Sequence, residues 1–339
     1  MENAINRQFY LHQRPAGMPS TSDVRRRDAA IPRPRDGEVL IRNRYFSLDP
    51  AIRGWMSDTP SYLPPIPLGQ AITSTTLGDV VQSRHPDFRE GDVVYGLNAW
   101  EDFSAAPGSY LMKVPPENRF PLHYYLSVFG AVGMTSYFGI LEAGKPRPGE
   151  TVLISAAAGA VGSVAGQIAK ILGCRVVGLA GTDAKCRWIT DDLGFDAAIN
   201  YRDCGPLTEA IAGACPEGVD VYFDNVGGAI LDAALMNPKD HARIVFCGAI
   251  SGYNAAEPVP GPYNWWQILA RSVTVQGFLV SNHVAQFPQG VARMSEWVAA
   301  GRIRFQEQIV DGFENTLAAF LTLFDGTNTG KLIVRVVPD

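Results

Sequence analysis

Apolar and polar positions follow two different rhythms along this chain, and the change of rhythm divides it. In the second half, Thr151-Val-Leu-Ile154 is a short β-branched and aliphatic run set off by Pro148-Gly149-Glu150, which predicts a buried strand. Small residues occupy Ser155–Gly162, and apolar positions then fall at Val161, Val164, Ala165, Ile168, Ala169 and Leu172. That spacing is one face of a helix, which Gly173 ends, and Cys174–Leu179 predicts the next strand. A helix capped at Thr182-Asp183 and running to about Leu193 follows, then strands at Asp196–Tyr201, Asp220–Asp224, Ala242–Cys247 and Ser272–Phe278. Strand–helix alternation of this kind predicts a parallel, doubly wound sheet that takes ligands at the carboxyl ends of its strands. Those ends carry Ser155-Ala156, Gly181-Thr182, Tyr201, Asn225, Cys247-Gly248 and Phe278.

The first half keeps a shorter beat. Glu38–Phe46, Gly78–Val81 and Asp92–Tyr95 read as strands bounded by Gly, Pro or Asp, which predicts a β-rich, barrel-like domain, with Pro60–Pro67 an irregular loop. From about Ser127 small and helix-forming residues take over, marking the passage into a second domain. A helix near Thr316–Phe324 and a strand over Lys331–Val336 close the chain, and this tail is expected to return to the first domain. The expected division is therefore 1–128 with 305–339 for the β-rich domain, and 129–304 for the doubly wound one.

The small-residue turn carries the chemistry. Ala156-x-x-Gly159-x-x-Gly162, between a strand and a helix, lets backbone N–H groups approach an anionic phosphate at the helix N-terminus. Alanine stands where the usual dinucleotide fingerprint has its first glycine. A nicotinamide cofactor lacking the 2′-phosphate would call for an acid at the end of the second strand, but Ala180-Gly181-Thr182 stands there. Lys185 offers a charge and Tyr201 a hydroxyl at adjacent strand ends, and together they favour NADPH. Asp183 is nearby but better placed as a helix cap.

Composition narrows the rest. The 339 residues are 46% hydrophobic, and 34 acidic against 29 basic side chains give a net charge of −5, which argues against a nucleic-acid platform. No long charge-free apolar run could span a bilayer and the N-terminus lacks a secretory pattern, so a cytoplasmic location is expected. The five cysteines, Cys174, Cys186, Cys204, Cys215 and Cys247, include no C-x-x-C pair, and the five histidines are scattered, so no metal is expected.

Several motifs together give a resemblance that covers nearly the whole chain: Asn43-Arg-Tyr-Phe-Ser-Leu-Asp-Pro50 with Arg53-Gly54, Gly133–Gly139, the Ala156–Gly162 turn, Asp224-Asn-Val-Gly-Gly228, Cys247–Asn254, Gln276-Gly-Phe278 and Gly326–Lys331. The chain resembles the zinc-free medium-chain dehydrogenases/reductases, in the branch of leukotriene B4 12-hydroxydehydrogenase/prostaglandin reductase, plant double-bond reductases and bacterial curcumin reductase. The resemblance implies an α/β protein with a GroES-like β-rich catalytic domain and a Rossmann domain. It also implies a homodimer and NADPH-dependent reduction of the carbon–carbon double bond of enones and enals. Matched residue by residue, Gly159, Ala160, Val161, Gly162 and Ser163 would lie under the pyrophosphate, and Lys185 and Tyr201 at the 2′-phosphate. Asn225, Cys247, Gly248, Ala249, Ile250, Ser251, Tyr253, Phe278, Leu279 and Val280 would line the ribose and nicotinamide, with Met134, Thr135 and Asn328 near the same site. Tyr253 matches the tyrosine proposed to donate to the substrate carbonyl, and a contact to the nicotinamide ribose stays open for it. Tyr45 and Tyr62, with Trp55 and Trp100, are candidates for the substrate pocket. So is Tyr263, in an aromatic run that a dimer contact would equally explain. A quinone as acceptor, or NADPH binding without catalysis, remain alternatives. An S-adenosylmethionine methyltransferase does not fit, because its acids in the first loop and at the second strand end are missing.

Overall fold

The computed structural model describes residues 5–328 and 330–336; Thr329 of the closing Gly326–Lys331 motif lies outside them. The chain opens with an antiparallel ribbon, β1 (Ile5–Leu11) and β2 (Val24–Ala30), and continues through β3 (Glu38–Ser47), the short helix α1 (Ala51–Trp55), β4 (Thr73–Ser83), β5 (Val93–Ala99), β6 (Phe103–Pro107) and β7 (Leu111–Lys113). β2 carries no hydrophobic signal because it pairs with β1 alone and stays largely exposed. Its arginines use aromatic faces instead: the guanidinium of Arg27 lies 4.7 Å from the Tyr10 ring centre. β4 is longer than its apolar stretch predicts. Its first half buries Ser74 and Thr76, whose hydroxyls donate to Ser47 O and to Asn43 Oδ1, both at 2.6 Å.

The middle of the chain alternates as its periodicity predicts. Helix α2 (Ala131–Phe138) widens into a π turn over Gly139–Gly144. Then come β8 (Thr151–Ile154), α3 (Ala160–Ile171), β9 (Arg175–Ala180), α4 (Asp183–Arg187), β10 (Ala197–Asn200), α5 (Leu207–Ala214), β11 (Val219–Asp224), α6 (Gly228–Ala234), β12 (Pro238–Phe246), α7 (Trp266–Ala270), β13 (Thr274–Gly277) and α8 (Phe287–Ala299). All six strands are parallel, in the order β10-β9-β8-β11-β12-β13. The order reverses between β8 and β11, which is the topological switch point of a doubly wound sheet. Leu153, Val177, Leu179, Tyr222 and Ile244 bury one face of it with Ile211, Leu231 and Leu235. The helix after β9 is irregular: α4 runs five residues and a π turn over Trp188–Asp192 completes it. Thr182 is its cap, accepting the Lys185 N–H at 3.2 Å. Asp183, expected to cap, instead accepts a hydrogen bond from Asn200 Nδ2 at 2.7 Å.

The last stretch, β14 (Glu307–Asp311), α9 (Thr316–Asp325) and β15 (Lys331–Arg335), rejoins the first. β15 pairs antiparallel with β3, Ile333 opposite Ser47, and β14 lies parallel to β15. The sheet therefore runs β14-β15-β3-β4-β5-β7, with β6 also on β3. Phe313, Phe320, Leu332 and Val334 from the tail share one buried core with Phe9, Phe46, Ile52 and Trp100. The ammonium of Lys331 is buried on Leu48 O at 2.7 Å and Asp49 Oδ1 at 2.9 Å. Two compact units result, Met1–Ser127 with Glu307–Asp339, and Val128–Gln306.

Candidate cofactor site

The turn after β8 is tied to strands on both sides. Ser155 N donates to Phe223 O at 3.1 Å and Ala157 N to Leu179 O at 2.9 Å, so the loop is held at the switch point. Ala156 adopts φ +49°, the left-handed conformation that glycine takes without strain. Gly162 answers a different need: a Cβ there would lie 2.4 Å from Ala156 O and 2.9 Å from Ala157 Cα. The first turn of α3 can sit against the loop only without that carbon. The N–H groups of Ala160, Val161 and Gly162 have no partner within the helix, and with the helix dipole they form an anion cradle. Ser163 is buried, its N–H already bound to Gly159 O at 3.0 Å.

At the next strand ends, Gly181 makes room for two polar side chains. A Cβ on it would meet the Tyr201 hydroxyl at 2.8 Å and Arg202 Nε at 3.3 Å. Lys185, half-buried on the first turn after the Thr182 cap, flanks the same strand end. Arg202 forms no ion pair among the described residues. The strand-by-strand sequence reading missed it because it lies one residue past the predicted strand; the signal available was a second cation beside Tyr201.

The ends of β11 and β12 are joined by backbone and short polar groups. Asn225 donates twice to Ser155, through N to Oγ and through Nδ2 to O, both at 2.8 Å. Ile250 N reaches Asn225 O at 3.3 Å and Ser251 Oγ reaches Val226 O at 2.6 Å. The Tyr253 hydroxyl accepts the Ala249 N–H at 3.3 Å and lies 3.2 Å from where a Cβ on Gly248 would be, so its own proton is left to donate. Burial pushes the Tyr253 phenol up, which keeps it protonated. Cys247 is half-buried; burial of its thiol, and then the nearby Asp224, push the thiol up, so it stays neutral. Beneath them Asp224, in the sequence a strand end and the start of a motif but not a site candidate, is fully buried and binds Ser155, Tyr222 and the loop amides.

The remaining candidates divide. Phe278 is buried and stacks on the His283 ring, 5.3 Å between centres, while Leu279 and Val280 are at least partly exposed beyond β13. Met134 is wholly buried, and its sulfur lies 2.6 Å from the position of a Cβ on Gly290, so it is a packing residue of α2 against α8. Thr135 turns its hydroxyl back to Ala131 O at 2.7 Å. In the first unit, Tyr45 is buried in the sheet with its ring 6.1 Å from His123, and Trp100 is likewise core. Tyr62 is exposed beside Trp55, 6.0 Å between ring centres, and Asn328 Nδ2 donates to Gly330 O at 3.4 Å. Tyr263 stands out at 86% exposure, in a segment where Trp265, Trp266 and Leu269 are exposed as well. No group of three or more His, Cys, Asp or Glu side chains among the described residues is arranged to hold a metal ion.

Residues 7–114 match a family described as the N-terminal domain of oxidoreductase, and residues 160–296 one described as zinc-binding dehydrogenase. The chain is 40% identical over 339 residues to the NADPH-dependent curcumin reductase of Escherichia coli, covering 98% of both chains. It is 37% identical over 340 residues to the NADP(+)-dependent 2-alkenal reductase of Nicotiana tabacum, covering 99% of this chain and 98% of that one. Its fold superposes on that of Vibrio vulnificus CurA in complex with NADPH with a TM-score of 0.92, at 37% identity, covering 98% of this chain and all of the other.

Proposed function

Since the chain belongs to the medium-chain dehydrogenases/reductases, among their NADP-dependent oxidoreductases, we propose that it reduces the carbon–carbon double bond of α,β-unsaturated ketones and aldehydes with NADPH. The observation that carries this is the pairing of an anion cradle at Ala156–Gly162 with the Lys185, Tyr201 and Arg202 group at the neighbouring strand ends. One suits a pyrophosphate and the other a 2′-phosphate, after β8 and after the next two strands, β9 and β10, of one sheet. The second family's description names zinc; among the described residues no group of three or more His, Cys, Asp or Glu side chains could hold a metal ion.

When bound, NADPH supplies a hydride to the β-carbon of the substrate, and negative charge then develops on the carbonyl oxygen. Tyr253 answers that charge. Its hydroxyl already accepts from Ala249 N, and a hydroxyl that accepts is a better donor. Asn225, Gly248, Ala249, Ile250, Ser251 and Cys247 hold the ribose and nicotinamide, with Phe278, Leu279 and Val280 as the apolar wall. Tyr45, Tyr62, Thr135, Met134 and Asn328 have the weaker claim, because the contacts described above already account for most of them. NADPH oxidation measured against a panel of alkenals, alkenones and quinones tests the reading. Turnover on enones and enals well above that on quinones is expected; the reverse order would make this a quinone reductase, and no oxidation on any would leave a binding protein.

The protein works as a homodimer in this reading. Among the described residues β13 pairs on one side only, all four of its residues including Val275 are exposed, and Trp265, Trp266 and Leu269 in the segment before it expose further apolar surface. An open edge flanked by apolar side chains is what a second copy would cover. Sedimentation of the protein and of Trp266→Glu tests this: a dimer that becomes a monomer is expected, and a monomeric parent overturns it. Five free cysteines suit a reducing compartment such as the cytoplasm, and among the described residues no helix is long and apolar enough to cross a membrane.

A further inference from the structure

Asp224 ends β11 at the switch point, and none of its surface reaches solvent. One carboxylate oxygen, Oδ1, accepts four hydrogen bonds: from Tyr222 OH at 2.7 Å, Val226 N at 2.9 Å, and Ser155 Oγ and Gly227 N at 3.0 Å. The other, Oδ2, is buried without a hydrogen-bond partner, and no Lys, Arg or His among the described residues pairs with it. The backbone oxygen of Asp224 also accepts from Cys247 N at 2.8 Å and Gly248 N at 3.1 Å. One residue thus fixes the ends of β8, β11 and β12.

Positioning alone does not require a charge there. An uncharged acceptor would hold the same N–H and O–H donors without the cost of burying an unpaired carboxylate. Burial leaves the Asp224 carboxyl raised on balance, while the four donors on Oδ1 oppose that rise and favour the ionised form. We propose that Asp224 sets the electrostatics of the strand-end rim, its buried negative charge favouring the oxidised, cationic nicotinamide over the reduced, neutral one. In reduction the ring gives a proton with its electron pair to the substrate β-carbon, water supplies a proton to the α-carbon, and the ring is left with one positive charge. A fixed anion below the rim therefore favours the product side of hydride transfer. This rests on the reading that Asn225, Gly248 and Tyr253 hold the nicotinamide end.

The test is binding without turnover. Asp224→Asn keeps the shape and the acceptor at Oδ1 while removing the charge. Asp224→Ser, smaller and uncharged, can still accept from the loop amides and carries the same expectation if the first variant fails to fold. Dissociation constants for NADP+, NADPH and 2′,5′-ADP are measured by calorimetry on the full-length protein and each folded variant. A unit charge roughly 10 Å away at an effective dielectric near 20 corresponds to about a tenfold preference. NADP+ should therefore weaken about tenfold relative to NADPH, with 2′,5′-ADP unchanged. Equal losses for NADP+ and NADPH with 2′,5′-ADP unchanged would overturn the charge effect and leave the nicotinamide placement standing. Equal losses for all three ligands would overturn both.

Discussion

The ends of β9 and β10 and the ends of β11 and β12 belong to one sheet, yet they are built in opposite ways. The first pair carries an exposed arginine and a half-buried tyrosine where Gly181 leaves space, with a half-buried lysine in the helix turn after β9. The second is a closed network of backbone amides, Ser155, Asn225 and the buried Asp224. Open, charged side chains suit the recognition of a phosphate that distinguishes one cofactor from another, because each contact can be added or lost separately. A closed network suits a place where a ring must sit in one pose. The Ala156–Gly162 turn lies between them and serves both.

Breaking that shared turn should give the largest effect. Gly162→Val drives a branched side chain into the Ala156 carbonyl, already 2.4 Å from the first carbon it would add. Overpacking of this kind costs about 1–3 kcal/mol of stability. Affinity should fall more than a hundredfold, for NADPH and NADH alike. A calorimetric titration in which NADH survives would show that the turn is not the pyrophosphate cradle.

The next effect separates the two regions. A charged hydrogen bond to phosphate contributes about 1.5–3 kcal/mol, roughly ten- to a hundredfold in affinity. Lys185→Ala and Arg202→Ala should each weaken NADPH by about that factor and leave NADH nearly unchanged. Parallel losses for both cofactors would mean that these side chains brace the strand ends and do not select the phosphate.

On the closed side, Tyr253→Phe removes one donor and keeps the ring. Loss of a well-placed oxyanion donor costs up to about a hundred- to a thousandfold in turnover. Here about tenfold in kcat on enones is expected, because water or a ribose hydroxyl can take its place. NADPH affinity should change little. A tenfold rise in the NADPH dissociation constant with saturated turnover intact would make Tyr253 a cofactor clamp.

The same contrast decides what the sequence reveals. The doubly wound unit was legible because its central strands β8, β9 and β11 are largely buried and read as mostly apolar runs, and because Gly159 and Gly162 mark the turn. Lys185 and Tyr201 could be named because they follow predicted strand ends. Arg202, one residue further, depends on how the chain bends after β10, and its charge beside Tyr201 was the one local signal for it. Asp224 was visible only as the end of a strand and the start of a motif, since its value lies in partners such as Ser155, 69 residues away in sequence. In the other unit β2 was hidden by its run of arginines and the first half of β4 by buried Ser74 and Thr76, where polar side chains bonded to Ser47 and Asn43 replace the expected apolar alternation.

The smallest expected effect concerns Ala156, the one place where the shared turn departs from glycine. At φ +49° an alanine carries roughly 1–2 kcal/mol of local strain that a glycine would not. Ala156→Gly relieves it, but it also gives the unfolded chain more freedom, which returns about 0.5–1 kcal/mol. The net gain should be at most about 1 kcal/mol, or a rise in Tm of about 2–4 °C for a unit of this size. NADPH affinity should fall slightly, by about threefold or less, because a looser loop has more order to lose on binding. Both changes can be read in one thermal-shift series with and without NADPH. A lower Tm for Ala156→Gly would mean that the half-buried methyl group contributes packing worth more than the strain, and that the alanine holds the cradle in shape.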